Sequence, residues 1–204
     1  SSYKFFGPHQ GILWGRKEIM QTLQPYKVRP ATSELPGSFE TGTQSHEGMA
    51  GTTAAVDYFA WIGKEFAGQF QKEHAFDRQR TKYVHAALDY LFEYEKLLTL
   101  YLIEGLNNLK KIKIQGITQS DAMDRRLPTV SFSVDGVHPE VIAKELGKNN
   151  IFVWSGHSYA IEVVKSLGLY ENGGVIRTGP VHYNSIEEIK EFLKILESIL
   201  TTKQ

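Results

Sequence analysis

Cysteine is absent from this chain of 204 residues. Its absence excludes disulfides, thiolate nucleophiles and zinc–thiolate sites together, and it fits a reducing, cytoplasmic setting. Net charge is missing too, with 23 Lys and Arg against 23 Asp and Glu. A neutral chain lacks the basic face that non-specific nucleic-acid binding needs. The one dense basic run, Lys110, Lys111 and Lys113, reads as a solvated strand edge. No stretch approaches the roughly 18 apolar residues of a membrane span, so no membrane partner is expected. No signal peptide or internal repeat is visible. The seven histidines show no His-x-x-x-His spacing, which argues against a metal site. There is no initiator Met, and the abrupt start SSYKFFGPHQGILWGR reads as a clipped N-terminus or a fragment.

What is present reads as two kinds of sequence. Residues 1–16 suggest strand, turn, strand: Ser2 to Lys4, a turn at Gly7-Pro8, then Gly11 to Trp14. Residues 24–44 are rich in Pro and Gly, a loop long enough to suggest function. A helix is expected from about Ser45 to Phe66, with Ala54, Ala55, Tyr58, Phe59 and Ile62 inward. A second is expected from about Asp77 to Leu106. It carries an aromatic stripe (Tyr83, Ala87, Tyr90, Tyr94, Leu97, Tyr101) and a flanking row of Val84, Leu88, Leu91, Leu98 and Leu102. Beyond Asn108 short strands alternate with helices. Strands are expected at 111–116, 128–134, 151–154 and 174–178. Helices are expected from Pro139 to about Gly147, from about Ser158 to Leu167, and from a capping box at Ser185 to the end. The last helix would bury Ile189, Phe192, Leu193, Leu196 and Leu200. Residues 110–204 therefore read as a small α+β domain, and 1–109 as part of a larger one. Two short strands and two helices make a poor sheet alone, so the first part should expose apolar surface.

Four stretches could carry chemistry. Lys4 stands between Tyr3 and Phe5, with Phe6 next. Apolar surroundings favour a neutral amine, which can condense with an aldehyde; the other reading is a lysine reaching water past aromatic neighbours. Gly42-Thr43-Gln44-Ser45 precedes a helix, an arrangement that either binds an anion such as phosphate or simply caps the helix through Thr43 or Ser45. Arg177 ends a strand before Gly179-Pro180, as an ion-pair anchor or a fork for a carboxylate. Trp154, His157 and Tyr159 share a strand-to-helix loop, functional or merely hydrogen-bonded.

In order and spacing, the runs Ser2-Tyr3-Lys4-Phe5-Phe6-Gly7-Pro8, Phe39-Glu40-Thr41-Gly42-Thr43-Gln44 and Ile176-Arg177-Thr178…Tyr183-Asn184 resemble the second half of a class V aminotransferase. The cysteine-desulfurase-like branch is nearest. The resemblance spans essentially the whole chain. It implies an α/β fold: part of an aspartate-aminotransferase-type (fold type I) large domain, then a small α+β C-terminal domain. It implies pyridoxal 5'-phosphate as cofactor, an amino-acid substrate and a homodimer. Lys4 would hold the cofactor as a Schiff base and move the substrate Cα proton. Gly42 and Thr43 would bind its phosphate across the dimer, Arg177 would clamp the substrate α-carboxylate, and Trp154, His157 and Tyr159 would border the substrate.

The departures from the family are specific. Tyr159 stands where persulfide-carrying desulfurases have a cysteine, Trp154 where they have an arginine, and Tyr3 where histidine commonly precedes the lysine. Transamination, epimerisation and elimination stay open. The upstream half of the family, with the ring that stacks on the cofactor and the Asp facing its pyridine nitrogen, is not in these residues. The resemblance thus implies a fragment of a protein about twice as long, inactive alone; a non-catalytic dimerisation or interaction module is the alternative.

Overall fold

The computed structural model describes residues 1–202. They form two compact units, Ser1–Tyr90 and Leu91 onward.

The first unit is helical. Residues 1–16 do not form the expected strand pair: Ser2–Phe5 is a 3₁₀ turn, and the chain through Trp14 is unpaired. A strand needs a neighbouring edge, and among the described residues none lies beside this segment. Its backbone groups are satisfied locally instead. The Ser2 N–H donates to the Gln10 carbonyl at 2.9 Å, and the buried Ser2 hydroxyl donates to the Pro8 carbonyl at 2.6 Å. A short helix α1 (Lys17–Met20), absent from the sequence expectation, opens the long loop. Helix α2 (His46–Glu65) starts at Ser45, whose hydroxyl accepts from the Gly48 N–H. Its buried stripe is Gly48, Ala55, Phe59, Ile62 and Gly63. Ala54 and Tyr58, expected inward, lie one position off that stripe and are exposed.

Helix α3 (Gln79–Asn107) gives its first turns to this unit. Gly63 of α2 lies directly against the backbone of Tyr83 on α3; a Cβ at Gly63 would sit 1.7 Å from the Tyr83 carbonyl oxygen. Only a residue without a side chain permits that approach. The unit also carries many bare apolar side chains, among them Ile12, Leu13, Trp14, Tyr26, Val28 and Phe76.

The second unit is built on a four-stranded antiparallel sheet. After the rest of α3 come β1 (Ile112–Gln115), β2 (Val130–Val134), α4 (Pro139–Gly147), β3 (Trp154–Gly156), α5 (Ile161–Ser166), β4 (Val175–Thr178) and α6 (Ile186–Thr202). The strand order is β1-β2-β4-β3. Lys111 and Lys113 therefore flank or lie on an edge strand, as their charge suggested. The alternation in β2 is realised, with Val130, Phe132 and Val134 buried and the serines between them half-exposed. One face of the sheet packs with the deep face of α3 (Leu98, Leu102, Ile103, Leu106), with Ile142 and Leu146 of α4, and with α6. On α3 this row is buried, whereas of the aromatic stripe only Ala87 is; its tyrosines are half-buried and Leu97 is exposed.

Helix α4 begins as its Pro139 indicates, with His138 as cap. Helix α6 begins with the expected capping box: the Ser185 N–H donates to Glu188 at 2.7 Å and the Glu188 N–H donates to the Ser185 hydroxyl at 3.2 Å. It buries Ile189, Phe192, Leu196 and Ile199, while Leu193 and Leu200 sit at the margin.

Two expectations shift. The strand at 151–154 is realised as Trp154–Gly156, because the preceding residues close the end of α4. Asn150 takes a left-handed backbone (φ 58°), and the Ile151 N–H donates to the Leu146 carbonyl at 3.1 Å. The helix expected from Ser158 starts at Ile161, since Ser158 and Tyr159 both have positive φ, 48° and 61°. Among the described residues no helix is long and apolar enough to cross a membrane.

Candidate functional site

Lys4, Gly42 and Thr43 belong to the first unit; Arg177, Trp154, His157 and Tyr159 belong to the second.

Lys4 is exposed within the 3₁₀ turn Ser2–Phe5. Its Nζ lies 5.9 Å from the centre of the Tyr3 ring, and among the described residues it has no hydrogen-bond or ion-pair partner. Two of the aromatic residues around it pack on other rings instead. Tyr3 stacks on His9 with centroids 4.9 Å apart, and Phe6 meets Phe59 at 6.1 Å. The enclosing apolar setting expected for the amine is thus not supplied by these residues. Phe6, at φ 64°, turns the chain sharply after the lysine into Gly7-Pro8.

Gly42 sits at φ +79°, the left-handed region that suits glycine, with open space where a Cβ would be. Capping of α2 falls to Ser45, so Thr43 is not used for that purpose. Gly42 and Thr43 are exposed, and their backbone N–H groups have no acceptor among the described residues. An uncommitted hydroxyl and uncommitted N–H groups just before a 20-residue helix form a donor set suited to an anion.

Arg177 lies on β4 opposite Ser131 of β2 and Trp154 of β3. Pairing in register brings the Arg177 and Trp154 side chains to one face of the sheet. Both are exposed, and no carboxylate meets the guanidinium among the described residues. Of the two sequence readings of this arginine, the structure thus lacks the partner an ion-pair anchor requires.

The loop after β3 is held in an uncommon shape. Consecutive non-glycine residues with positive φ cost about 1–3 kcal/mol each and persist where surroundings enforce them. Here the His157 Nδ1 accepts from the Tyr159 N–H at 3.2 Å, and the Ala160 N–H donates to the His157 carbonyl at 2.7 Å. The His157 ring lies 6.5 Å from Tyr159, edge-on, and 6.4 Å from Tyr170, stacked. Tyr159 is 94% exposed. Sequence reasoning missed Ser158, whose hydroxyl is buried without a hydrogen-bond partner in this loop; no sequence signal marks it. Arg177 is followed by a firmly tied turn, in which Asn184 Oδ1 accepts from the Val181 N–H at 2.9 Å and the Tyr94 hydroxyl donates to the Asn184 carbonyl at 2.7 Å.

Comparison with known proteins agrees with the motifs. The family description "Aminotransferase class-V" matches residues 1–192. A "Probable cysteine desulfurase" of Pyrococcus abyssi is 28% identical over 201 residues, which cover 93% of this chain and 42% of that protein. The "Aminotransferase-like protein FGM3" of Gibberella zeae is 28% identical over 203 residues, with 98% and 45% coverage. Among solved structures, the apo cysteine desulfurase of Thermococcus onnurineus NA1 superposes with a TM-score of 0.75 at 27% identity, over 97% of this chain and 45% of that one. The cysteine desulfurase CsdA of Escherichia coli, at 18% identity and a TM-score of 0.72, shares the fold. The chain spans less than half the length of these relatives. Matched by the family description over nearly its whole length, the chain belongs to the class V aminotransferase family.

Proposed function

We propose that these residues serve a pyridoxal-phosphate-dependent enzyme acting at Cα of an amino acid. The observation that carries this reading is Arg177: an exposed guanidinium at a sheet position beside Trp154, with no carboxylate of its own among the described residues. A planar fork of this kind takes a carboxylate in two parallel hydrogen bonds. The cofactor also fits the residues present, through the unpaired Lys4 amine and the open Gly42–Thr43 donors.

When bound, pyridoxal phosphate supplies the electron sink that makes the substrate Cα proton removable. The protein's residues do the rest. Lys4 Nζ would hold the cofactor until the substrate amine displaces it, and the freed amine would take and return the Cα proton. Gly42 N–H, Thr43 N–H and the Thr43 hydroxyl hold the phosphate, supplied across a homodimer. Arg177 fixes the α-carboxylate and thereby the orientation of Cα. Trp154, His157 and Tyr159 border the substrate side chain. With no cysteine in the chain, no protein thiol from these residues can accept sulfur. The reading therefore places the chemistry at the Cα proton, with transfer, epimerisation and elimination sharing that first step. In domain terms, residues 1–109 would complete a larger cofactor-binding domain and 110–204 would form the small one.

The test is absorbance of the longest natural gene product containing this chain, titrated with pyridoxal phosphate. A visible cofactor band is expected in wild type and not in Lys4→Ala. Arg177→Lys should keep the band and raise the KM for amino acids, because a point charge replaces a two-pronged one. Absence of a band, or a band unchanged in Lys4→Ala, would refute the proposal.

A further inference from the structure

The turn before α3 and the first turns of α3 gather four groups that the reading above does not use. The Asp77 Oδ2 lies 2.8 Å from His85 Nδ1 and 3.5 Å from His74 Nδ1. His74 Nε2 is 2.6 Å from Asp89 Oδ2. The two imidazoles are 5.1 Å apart at 61°, and donor atoms of His74, Asp77 and His85 all fall within 4.8 Å of one another. We propose that His74, Asp77 and His85 bind a divalent zinc-class cation, with Asp89 orienting the His74 ring.

Three physical points support this. The first is spacing. Zinc bonds to nitrogen and oxygen of about 2.0–2.1 Å at tetrahedral angles place neighbouring ligand atoms about 3.3 Å apart. Two of the three separations, 2.8 and 3.5 Å to the shared carboxylate oxygen, bracket that value, and the third is within 4.8 Å. The second is the donor balance of His74. Both its ring nitrogens face carboxylate oxygens, yet a neutral imidazole has one N–H and one lone pair. With the N–H donated to Asp89, the Nδ1–Asp77 contact needs positive charge between its two atoms, which a second ring proton or a metal cation supplies. The third is the arrangement itself: a carboxylate bonded to the far nitrogen of a ligating histidine is the usual outer partner that fixes ring and tautomer.

The donor set, two imidazoles and a carboxylate without sulfur, suits zinc and leaves a fourth position for water. His74 and Asp77 come from the turn before α3, His85 and Asp89 from α3 one helical turn apart. The cation would therefore clip that turn onto the helix. Their side chains are between 24% and 45% exposed, so the ion has a path in. The sequence hides the site because its spacings, three and eight residues, straddle a turn and a helix; the short-spacing rule applied to histidines alone does not detect it.

The test uses the purified protein stripped by chelator, without pyridoxal phosphate, so it stands apart from the cofactor proposal. Cobalt(II) is titrated and its visible bands recorded, then displaced by zinc(II). One equivalent with the intense bands of four-coordinate cobalt is expected, along with a higher melting temperature in zinc. His74→Ala and His85→Gln should each abolish the bands while helical circular dichroism is kept; His85→Gln changes the most exposed ligand and so spares the fold. Asp89→Asn should keep one equivalent but weaken it roughly 10–100-fold. His138→Gln, a histidine elsewhere, should leave the cobalt bands unchanged. No four-coordinate signal in the folded wild type, or wild-type binding in the folded His74→Ala and His85→Gln variants, would overturn the site; undiminished affinity in Asp89→Asn would overturn the orienting role.

Discussion

Gly63→Ala asks how closely two helices are held. Alanine inside a helix is favoured over glycine by about 0.8–1.0 kcal/mol, so local propensity alone forecasts a gain. The packing forecasts the reverse. The new methyl would lie 1.7 Å from the Tyr83 carbonyl oxygen and 2.6 Å from its carbonyl carbon, whereas real Cβ atoms essentially never come within 3.0 Å. That obstacle is backbone, so no rotamer change clears it, and α2 and α3 must part by about 1 Å or more. Parting them loosens the buried contacts of Phe59 and Ile62 on α2. Overpacking costs about 1–3 kcal/mol, and a backbone obstacle belongs at the upper end, leaving a net loss near 2 kcal/mol. Urea unfolding followed by circular dichroism reads this directly. With a slope of about 2 kcal/mol per M, the midpoint of the transition reporting the first unit falls by about 1 M. Two controls bracket the effect. Gly147→Ala at the end of α4 meets nothing within 4 Å and should be neutral or slightly stabilising. Gly105→Ala meets only the side chain of Leu193, the nearest atom at 2.1 Å, which can rotate, so its change should stay within about 1 kcal/mol. A Gly63→Ala protein as stable as wild type would refute the packing argument.

Other outcomes follow from the second unit. Leu196→Ala, at a fully buried position of α6, should cost about 2–5 kcal/mol in denaturant unfolding; less than 1 would mean the core collapses around the gap. Stability should also depend on pH through His182, whose pKa burial holds below its ordinary 6.5. The folded state then binds that proton less readily than the unfolded chain, so this contribution is complete above pH 6.5 and is lost as pH falls through the lower folded value. Glu95 works oppositely. Burial raises its pKa above 4.5, against the hydrogen bond from the His182 N–H. Its contribution is complete below pH 4.5 and is lost as pH rises through the folded value. Melting temperatures between pH 7 and 5 should fall less steeply in His182→Gln; an unchanged slope would remove His182 from the account.

Features encoded within a few residues were legible in the sequence. The Ser185–Glu188 box, Pro139 at a helix start and the alternation of Val130, Phe132 and Val134 each need only near neighbours, and each is present. Features that depend on a distant partner were not. Residues 2–4 and 11–14 read as strands, yet strand formation needs an edge to pair with, and the chain satisfies itself through Ser2 and Gln10 instead. Residues 151–153 look equally strand-like, but the left-handed Asn150 commits them to closing α4. In α2 the apolar residues are dense enough that the expected inward face is too wide: Ala55, Phe59 and Ile62 are buried, but their neighbours Ala54 and Tyr58 are exposed. The candidate site divides the same way. Lys4, Thr43 and Arg177 stood out by motif, but that Arg177 pairs across from Trp154 is a matter of strand register, which no short stretch of sequence states.

The unequal ends of the sheet bear on how this protein behaves in a test tube. At β1 the lysines discourage a stray strand from adding to the open rim. At β3 the strand residues Trp154, Ser155 and Gly156 carry no charge; the strand is preceded by Phe152, 85% bare, and begins with Trp154, 57% bare. That rim is an invitation to stick. Preparations of these residues by themselves should clump as concentration rises, and a charged replacement at Phe152 should keep them in solution where milder buffers do not.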